Sequence, residues 1–377
     1  MAKQQKSHAP VNKRTAGFTL IEVMTAVVIG SILMVAAVTI MVNSKDTYEV
    51  QDDLGRLQEN ARFAMHLLAK DIRMAGYFGC SAKSGDIYDH IEDGGSGNLF
   101  NSSAGLEGMD NYDAAATWEP SGKIANVDGL AGITFLPDSD GLTVRYLDPS
   151  TAIDVVAKMP QASADIEVTN TAGLVDGQII AITDCASADI VQITSLPGGL
   201  KIQHNSGGGT TPGNVNSGLE WNFPGCGAAN CLSKQYGDDA KVMSLKAVRY
   251  FLQDKDADGS PSLYRVVITP SGGNAVFAAQ KLVAGVDSLQ LTYGEDTTGD
   301  GRADTYRPAS GVGSWSNVST VKIGMLFQTV DEYGQQTDTI AHTVALGNSV
   351  NGEDFAAQND HRRRRLFTST VLLRNPQ

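Results

Sequence analysis

An uninterrupted apolar run from Phe18 to Val42, with Glu22 as its one charged residue, most constrains what this chain can fold into. As an α-helix the run extends about 37 Å at roughly 1.5 Å per residue, which is enough to cross a bilayer. Residues 1–17 contain no acid but four basic side chains, those of Lys3, Lys6, Lys13 and Arg14. Basic residues before a membrane span indicate a cytoplasmic N-terminus and an exported C-terminal body.

Two simpler interpretations of this run are an ordinary signal peptide and a plain membrane anchor. An ordinary signal peptide has a shorter apolar core that ends at a small-residue cleavage site, and no such site precedes Asn43. A plain anchor gives no reason for a carboxylate at the fifth residue of the run, where its burial in lipid costs roughly 2.5–3.5 kcal/mol. Glu22 therefore indicates a binding partner inside the membrane or inside an assembly.

The segment Gly17-Phe18-Thr19-Leu20-Ile21-Glu22 resembles the cleavage motif of type IV prepilins and pseudopilins. The resemblance implies that a prepilin peptidase cuts between Gly17 and Phe18 and methylates the new amine of Phe18. It also implies that Glu22 meets the Phe18 amine of an adjacent subunit and sets the register within a filament. Opposite charges that cannot both be hydrated in an apolar bundle favour such pairing.

The helix is predicted to continue beyond the membrane and to end near Gly76. Apolar residues recur there at spacings of three and four, which is typical of an amphipathic helix: Val50, Leu54, Leu57, Ala61, Ala64, Leu68 and Ile72. Charged residues occupy the other face: Asp52, Asp53, Arg56, Glu59, Arg62, Lys70 and Arg73. We expect the apolar stripe to pack on a sheet.

Three further segments resemble minor pilins of the PilW type. They are Asp71-Ile-Arg-Met-Ala-Gly-Tyr-Phe-Gly-Cys80, then Thr183-Asp184-Cys185 followed by Asp189-Ile-Val-Gln-Ile-Thr194, and finally the tail from Arg364 to Asn375. The resemblance implies an α+β protein with the type IV pilin fold, in which the long N-terminal helix packs on an antiparallel β-sheet head.

The chain beyond Cys80 is predicted to be a β-rich head, because short alternating segments are separated by turn residues. We divide the chain into a cleaved leader (1–17), a transmembrane or filament-core helix (18–42), an amphipathic helix (43–76) and an exported head (77–377) with insertions at about 81–130 and 150–235. The expected strands are Gly141–Leu147, Ile166–Asn170, Gln178–Thr183, Ile190–Ser195, Val242–Gln253, Ser262–Thr269, Val286–Tyr293, Val318–Val330, Thr337–Val344 and Leu366–Leu373.

The four cysteines, Cys80, Cys185, Cys226 and Cys231, all follow the membrane segment. An even number in an oxidising compartment predicts two disulfides. A metal site is the alternative, although the Cys226/Cys231 pair has no matching histidine or second pair at zinc spacing. We expect Cys226 to bond Cys231 and Cys80 to bond Cys185, one of three connectivities.

Two acidic loops are candidate calcium sites, because oxygen ligands at alternate positions followed by glycine resemble the first half of an EF-hand loop. The stronger candidate has its ligands at Asp296, Thr298, Asp300, Arg302 (through its carbonyl) and Asp304, and the weaker has Asp254, Asp256, Asp258 and Ser260. Neither loop has a glutamate at position twelve. The alternative is a pair of Asp-Gly hairpin turns with solvated acids. Any calcium would be structural, and no cofactor is required.

Charge and motifs exclude several functional classes. The formal net charge is −13, and nucleic-acid binding needs a basic face, so we expect the body to bind no nucleic acid directly. The basic run Arg362–Arg365 is either solvated or meets an acidic surface of its own chain or of a partner. The histidines are scattered and most are expected at the surface: His8, His66, His90, His204, His342 and His361. No nucleophile, metalloprotease, Walker or dinucleotide motif is present, so an enzyme is not expected.

The predicted function is that of a minor pilin that helps to prime type IV pilus assembly, in a tip or priming complex with other minor pilins. Its expected partners are the prepilin peptidase, the other minor pilins, the major pilin, the inner membrane and a tip adhesin. A pseudopilin of type II secretion is the near alternative. A tip adhesin that binds a surface ligand through the loops at 81–130 and 204–240 is the alternative of another class. A membrane-anchored hydrolase has no catalytic constellation to support it.

Overall fold

The computed structural model describes residues 17–79, 87–92, 104–111, 134–198, 200–206, 209–215, 230–256, 259–332, 337–344, 353–355 and 358–374. Most of the loop predicted at 81–130 lies outside these ranges. The compact units of the chain are residues 1–52 and residues 53–377. A single helix, α1 (Leu20–Met74), belongs to both units.

The N-terminal unit consists, in its described part, of the apolar half of α1. Every side chain from Gly17 to Tyr48 is exposed. An 18-residue window of this half has a mean hydropathy of 2.5, and none of it is buried against the rest of the protein. A helix of this length and composition is suited to a bilayer or to an apolar bundle of other helices.

The second half of α1 buries one face. Leu57, Ala61, Ala64, Leu68 and Ile72 are buried, which confirms that part of the predicted amphipathic stripe. The helix ends at Met74, and Gly76 follows with a φ of +75°, a left-handed conformation that favours glycine after a helix. The amphipathic face therefore belongs to the core of the body.

The body is built from sixteen strands among the described residues. They are β1 (Ile87–Asp89), β2 (Leu106–Met109), β3 (Gly141–Asp154), β4 (Ile166–Glu167), β5 (Ile179–Thr183), β6 (Ala188–Gln192), β7 (Lys201–Ile202), β8 (Lys241–Gln253), β9 (Ser262–Ser271), β10 (Asn274–Ala284), β11 (Val286–Glu295), β12 (Thr305–Arg307), β13 (Val318–Gln328), β14 (His342–Val344), β15 (Glu353–Phe355) and β16 (Arg364–Leu372). With the long N-terminal helix they make the protein α+β, as predicted.

Two large sheets organise these strands. The eight-stranded sheet has the order β1-β6-β5-β8-β3-β2, and β9 pairs with both β8 and β10. The four-stranded sheet has the order β12-β11-β13-β16. Two small two-stranded sheets, β14-β15 and β4-β7, complete the described strands.

One pairing departs from the antiparallel sheet that was expected. β1 and β6 are parallel, with Ile87 opposite Ala188, whereas the other pairs of described strands are antiparallel. Parallel strands need a long crossover connection, and almost a hundred residues separate these two. The short β1 gives no sequence signal for this long-range pairing.

Three apolar clusters fill the body. The first joins α1 to both large sheets and contains Leu68, Leu289, Ile323 and Val371. The second lies around Phe78, Leu147 and Phe251. The third is formed by residues between Ile153 and Val242, so much of the predicted insertion has an apolar core of its own.

The longest strand missed by sequence is β10. Its residues Asn274–Ala284 include several alanines and follow β9 through the two-residue turn Gly272-Gly273. Both glycines have positive φ, at +57° and +80°, as a tight hairpin turn with the twist of its strands requires. The Gly-Gly pair was the signal that could have identified this hairpin.

Candidate processing and assembly site

The predicted cleavage bond lies just before the first turn of α1. Gly17 is exposed and Phe18 is 87% exposed, so the bond between them is accessible. Helix α1 begins at Leu20, which makes Thr19 its N-cap residue. Every group that shapes the first turn therefore lies on the C-terminal side of the bond, and a cut there would leave the turn intact.

Glu22 closes a capping box with Thr19. The Thr19 backbone N–H and hydroxyl each donate to Glu22 Oε2 at 2.9 Å, and the Glu22 N–H donates to Thr19 Oγ1 at 3.3 Å. This reciprocal arrangement satisfies N–H groups that a helix start leaves unpaired. It holds the carboxylate on the first turn, four residues from the predicted new amine. The pairing of Glu22 with the amine of another subunit stays a prediction.

The first PilW-like segment contains a buried carboxylate. Asp71 is buried in α1, and its two oxygens accept hydrogen bonds from Tyr146 (3.0 Å) and Tyr250 (2.5 Å). Burial, reinforced by the charge of Asp71, raises the pKa of both tyrosines above their usual range, so both hydroxyls stay protonated donors. The contact ties α1 to β3 and β8.

The same segment also joins the backbone of the helix end to β3. The Gly76 N–H donates to the Arg145 carbonyl at 3.0 Å, and the Leu147 N–H donates to the Tyr77 carbonyl at 2.7 Å. Gly105 passes close to the end of the helix: a Cβ at this position would come within 2.2 Å of the Gly76 nitrogen, so glycine is needed there. Residues 71–79 therefore form a structural junction between helix and sheet.

The second segment contains another buried carboxylate. Asp189 on β6 is fully buried and accepts hydrogen bonds from His90, Ser233 and Tyr236, each with a 2.5 Å side-chain contact. His90 is itself buried, and so is His204, so these two are exceptions to the surface placement that is predicted for most of the histidines. The Ser233 hydroxyl donates to the aspartate and not to a histidine, so the cluster lacks the nucleophile-to-base contact of a hydrolase.

The third segment contains a buried cation. The Arg364 side chain, on β16, is 2% exposed and contacts Asp287 at 2.7 Å, Asp338 at 3.0 Å and Asp360 at 2.7 Å. It also donates to Gln328 at 2.9 Å. The basic run therefore does meet an acidic surface, and at Arg364 that surface belongs to the same chain.

This arginine cluster holds its carboxylates at different pKa values. Burial raises the pKa of Asp287 to about 6, although the neighbouring Arg364 opposes that shift. Hydrogen bonds from Arg364 lower the pKa of Asp360. Of the three carboxyl groups, the buried one of Asp287 is therefore the easiest to protonate.

Most hydrogen-bond partners of the three buried charged residues, Asp71, Asp189 and Arg364, are far away in sequence. Asp360, four residues before Arg364, is an exception. Tyr250, Asp189 and Asp287 each stand in a strand among apolar residues. A polar residue within a buried strand was the one available signal, and it does not identify the partner.

Cys185 and Cys231 are both disulfide-bonded, and Cys80 and Cys226 lie outside the described residues. Gly79, which precedes Cys80, packs closely against Thr183: a Cβ on Gly79 would come within 2.7 Å of the threonine side chain. The chain therefore brings the residue before Cys80 close to the segment that contains Cys185. The connectivity stays a prediction.

The acidic loop at 296–304 is a compact turn whose carboxylates accept backbone hydrogen bonds. Asp296 accepts from the N–H groups of Gly299 and Gly301 at 2.6 and 2.7 Å, and Asp304 accepts from Thr297 at 2.7 Å. The Arg302 N–H donates to Asp300 at 2.9 Å. These bonds close a turn but do not direct the acidic side chains to one point.

The loop at 254–260 is tied to neighbouring strands. Asp256 pairs with Lys281 at 2.6 Å and accepts from Tyr264 at 3.0 Å, while Asp258 lies outside the described residues. In the part of the chain that the structure describes, no group of three or more acidic, histidine or cysteine side chains is arranged to hold a metal ion. Calcium binding stays a prediction for both loops.

Two regions of the chain match known families. Residues 249–375 match the family described as type IV pilus-assembly protein W, and residues 12–38 match the prokaryotic N-terminal methylation motif. The first match begins within β8, ends at residue 375 and includes Arg364, and the second includes Gly17, Phe18 and Glu22. No curated protein and no solved structure matches the chain.

Proposed function

We propose that this chain, a type IV pilus minor pilin of the PilW type anchored in the inner membrane through α1, helps to initiate pilus assembly in a complex with other minor pilins. The observation that carries the proposal is the methylation motif on an exposed apolar helix, joined to a PilW-type body. The motif implies processing by the prepilin peptidase, and the family implies contact with other pilus components.

The size and charge of the body support a low-copy role. The chain has 377 residues and a net charge of −13, and the 335 residues after Val42 carry a net charge of −16. Many copies of such a body side by side would repel one another and crowd a regular fibre. A subunit present in few copies at the start or the tip of a filament avoids both problems.

We also propose that the body has the type IV pilin fold. In its support, the second half of α1 shares an apolar cluster with the four-stranded antiparallel sheet β12-β11-β13-β16. Within the same proposal, Cys80 bonds Cys185 and Cys226 bonds Cys231. Peptide mapping without reduction tests this connectivity, and a peptide that joins Cys80 to Cys226 or Cys231 would exclude it.

A pseudopilin of type II secretion is the alternative within the same class. Deleting the gene separates the two functions: loss of surface pili with normal secretion of exported enzymes supports the pilus role. Loss of enzyme secretion with normal pili would overturn it.

A tip adhesin is the alternative from another class, and it would use the loops at 81–130 and 204–240. Deleting one of these loops distinguishes the two, since an initiator needs its body to assemble whereas an adhesin needs a loop to attach. Normal piliation combined with lost attachment would favour the adhesin.

A further inference from the structure

The last strand, β16, forms one edge of the four-stranded sheet. It pairs with β13 from Thr320↔Leu372 to Gln328↔Arg364, and within the described residues no strand lies beyond it. The Leu373 N–H donates to Ser319 and the Arg363 carbonyl accepts from Thr329, so the odd-numbered residues bond β13. Antiparallel strands alternate in this respect. The backbone N–H and C=O groups of Leu366, Thr368, Thr370 and Leu372 therefore point towards the outer edge.

Between Leu366 and Leu372 this edge lacks the features that usually prevent strand pairing. Just beyond it, the Arg374 N–H donates to the Arg73 carbonyl of α1 at 3.3 Å. From Leu366 to Leu373 the sequence is Leu-Phe-Thr-Ser-Thr-Val-Leu-Leu, with no charge, proline or glycine. Thr368, Thr370 and Leu372 are exposed, and Leu372 is 58% exposed. A long uncharged edge of residues that favour β-structure is a template for another strand.

The other edges of the two large sheets are protected, so this lack of protection is particular to β16. Strands β1 and β12 have three residues each and β2 has four. The edge strand β10 has a bulge next to Lys281, and its Ala275 N–H is bonded to Thr211. Short length, a charged residue and a bulge are all devices that block edge pairing.

The charges at the two ends of β16 indicate which strand fits. Arg365 and Arg374 are both exposed, one near each end of the uncharged segment. If two copies of the uncharged segment Leu366–Leu373 paired antiparallel over its full length, Arg365 of each would lie within one residue of Arg374 of the other. Like charges this close repel one another. A strand with a carboxylate at each end is complementary instead.

We propose that β16 is a docking edge for one extended strand from an unlike subunit, added antiparallel, with an uncharged middle and an acidic residue at each end. The partner strand would bond the outward N–H and C=O groups from Leu366 to Leu372 and place its acids beside Arg365 and Arg374. This inference rests on the proposed function only for its view that the partner is another pilus subunit.

A synthetic peptide tests the docking edge on the purified full-length protein in detergent. The probe is a fluorescent ten-residue peptide of alternating valine and threonine between two glutamates, which are nine positions apart as Arg365 and Arg374 are, and its binding is followed by fluorescence anisotropy. The test variant carries Thr368→Pro and Thr370→Pro, which remove two outward N–H donors but leave the bonds to β13. The matched control carries Thr368→Val and Thr370→Val, which keep those donors.

The proposal predicts that the peptide binds the wild type and the valine variant, and that binding to the proline variant falls at least about tenfold. A peptide with lysines in place of its glutamates should bind more weakly. Equal binding of the glutamate peptide to the proline variant, or no binding to the wild type, would overturn the proposal.

A second measurement covers the case in which the proline variant does not fold. A photo-crosslinking residue at Thr370 should crosslink to the peptide, whereas the same residue at Thr297, in the exposed acidic loop, should not; the reverse pattern would contradict the proposal. Sedimentation without peptide tests whether a second copy of this chain occupies the β16 edge. Self-association that the proline variant abolishes would overturn the proposal of an unlike partner. None of these results depends on piliation, so the proposed function can fail separately.

Discussion

Arg364 holds Asp360 through two parallel hydrogen bonds, Nη1 to Oδ1 and Nη2 to Oδ2, each 2.7 Å long. Asp360 in turn accepts the Asp338 N–H at 2.7 Å through its carbonyl, and Asp338 contacts the same arginine. These contacts close the base of the segment that leaves the sheet after β13 and returns at β16. Arg364 therefore holds β16 in contact with Asp338 and Asp360, which belong to the segment between β13 and β16.

Replacing Arg364 tests this role. Arg364→Ala leaves Asp287, Asp338 and Asp360 without their cation, and removing one partner of a buried ion pair costs about 3–5 kcal/mol in the free energy of unfolding. Arg365→Ala is the matched control: Arg365 is exposed and stacks on Phe367, so its loss should cost at most about 1 kcal/mol. Urea unfolding followed by tryptophan fluorescence measures both values. Equal losses in the free energy of unfolding for the two substitutions would contradict the role of Arg364 in holding these three carboxylates together.

The raised pKa of Asp287 predicts a pH dependence of stability. Its pKa is about 6 in the folded protein against 3.8 ordinarily, so the folded state binds this proton more tightly than the unfolded state does. The stabilisation is complete below about pH 4 and is lost as the pH rises through 6, a change of about 3 kcal/mol. Asp287→Asn should remove this fall between pH 4 and pH 7.

Asp360 provides the comparison for that experiment. Its pKa is lowered, so its contribution is present above the ordinary carboxyl pKa and is lost only as the pH falls below it. Asp360→Asn should therefore leave the fall between pH 4 and pH 7 in place. If unfolding curves of the wild type and of Asp287→Asn show the same pH dependence over that range, the assignment to Asp287 is wrong.

The long helix and many strands could be predicted because their signals are local. The spacing of Leu57, Ala61, Leu68 and Ile72 indicates a helical face without any knowledge of what covers it. The contact between Asp71 and Tyr250 depends instead on residues 179 positions apart that meet only after the sheet has formed. The resemblance to PilW-type minor pilins located the three segments that contain Asp71, Asp189 and Arg364, but it could not identify the partners of these residues.

Glu22→Ala tests the assembly role of the charged residue in the apolar helix. Cleavage after Gly17 should still occur, because the bond is accessible and lies outside the capping box. Entry into sheared pili should fall, because the carboxylate is predicted to pair with the amine of a neighbouring subunit. Mass spectrometry of the N-terminus and immunoblots of sheared pili measure the two steps.

Glu49→Ala is the matched control for Glu22→Ala. Glu49 is a carboxylate on the same helix, beyond the apolar run, and it pairs with Lys45 at 3.3 Å. Its loss should leave both cleavage and pilus entry unchanged. If the Glu22→Ala protein enters pili normally, Glu22 is not needed for assembly.

Calcium binding by the loop at 296–304 is testable by titration calorimetry of the full-length protein. Because Asp296 and Asp304 already accept backbone hydrogen bonds, calcium has to compete with them, and we expect a Kd of about 10⁻⁴–10⁻³ M. Asp300→Ala should weaken binding, whereas Asp176→Ala, at an exposed aspartate on another loop, should not. No heat from the wild type would end the calcium hypothesis.

The number and the length of surface pili test the initiating role most directly, because initiation sets how many filaments form and elongation sets how long they grow. Electron microscopy of cells without the gene, compared with cells in which it is restored, measures both quantities. If this chain primes assembly, the number of pili per cell should fall while the lengths of the remaining pili are unchanged. An unchanged number of pili, or pili of normal number that are only shorter, would contradict it.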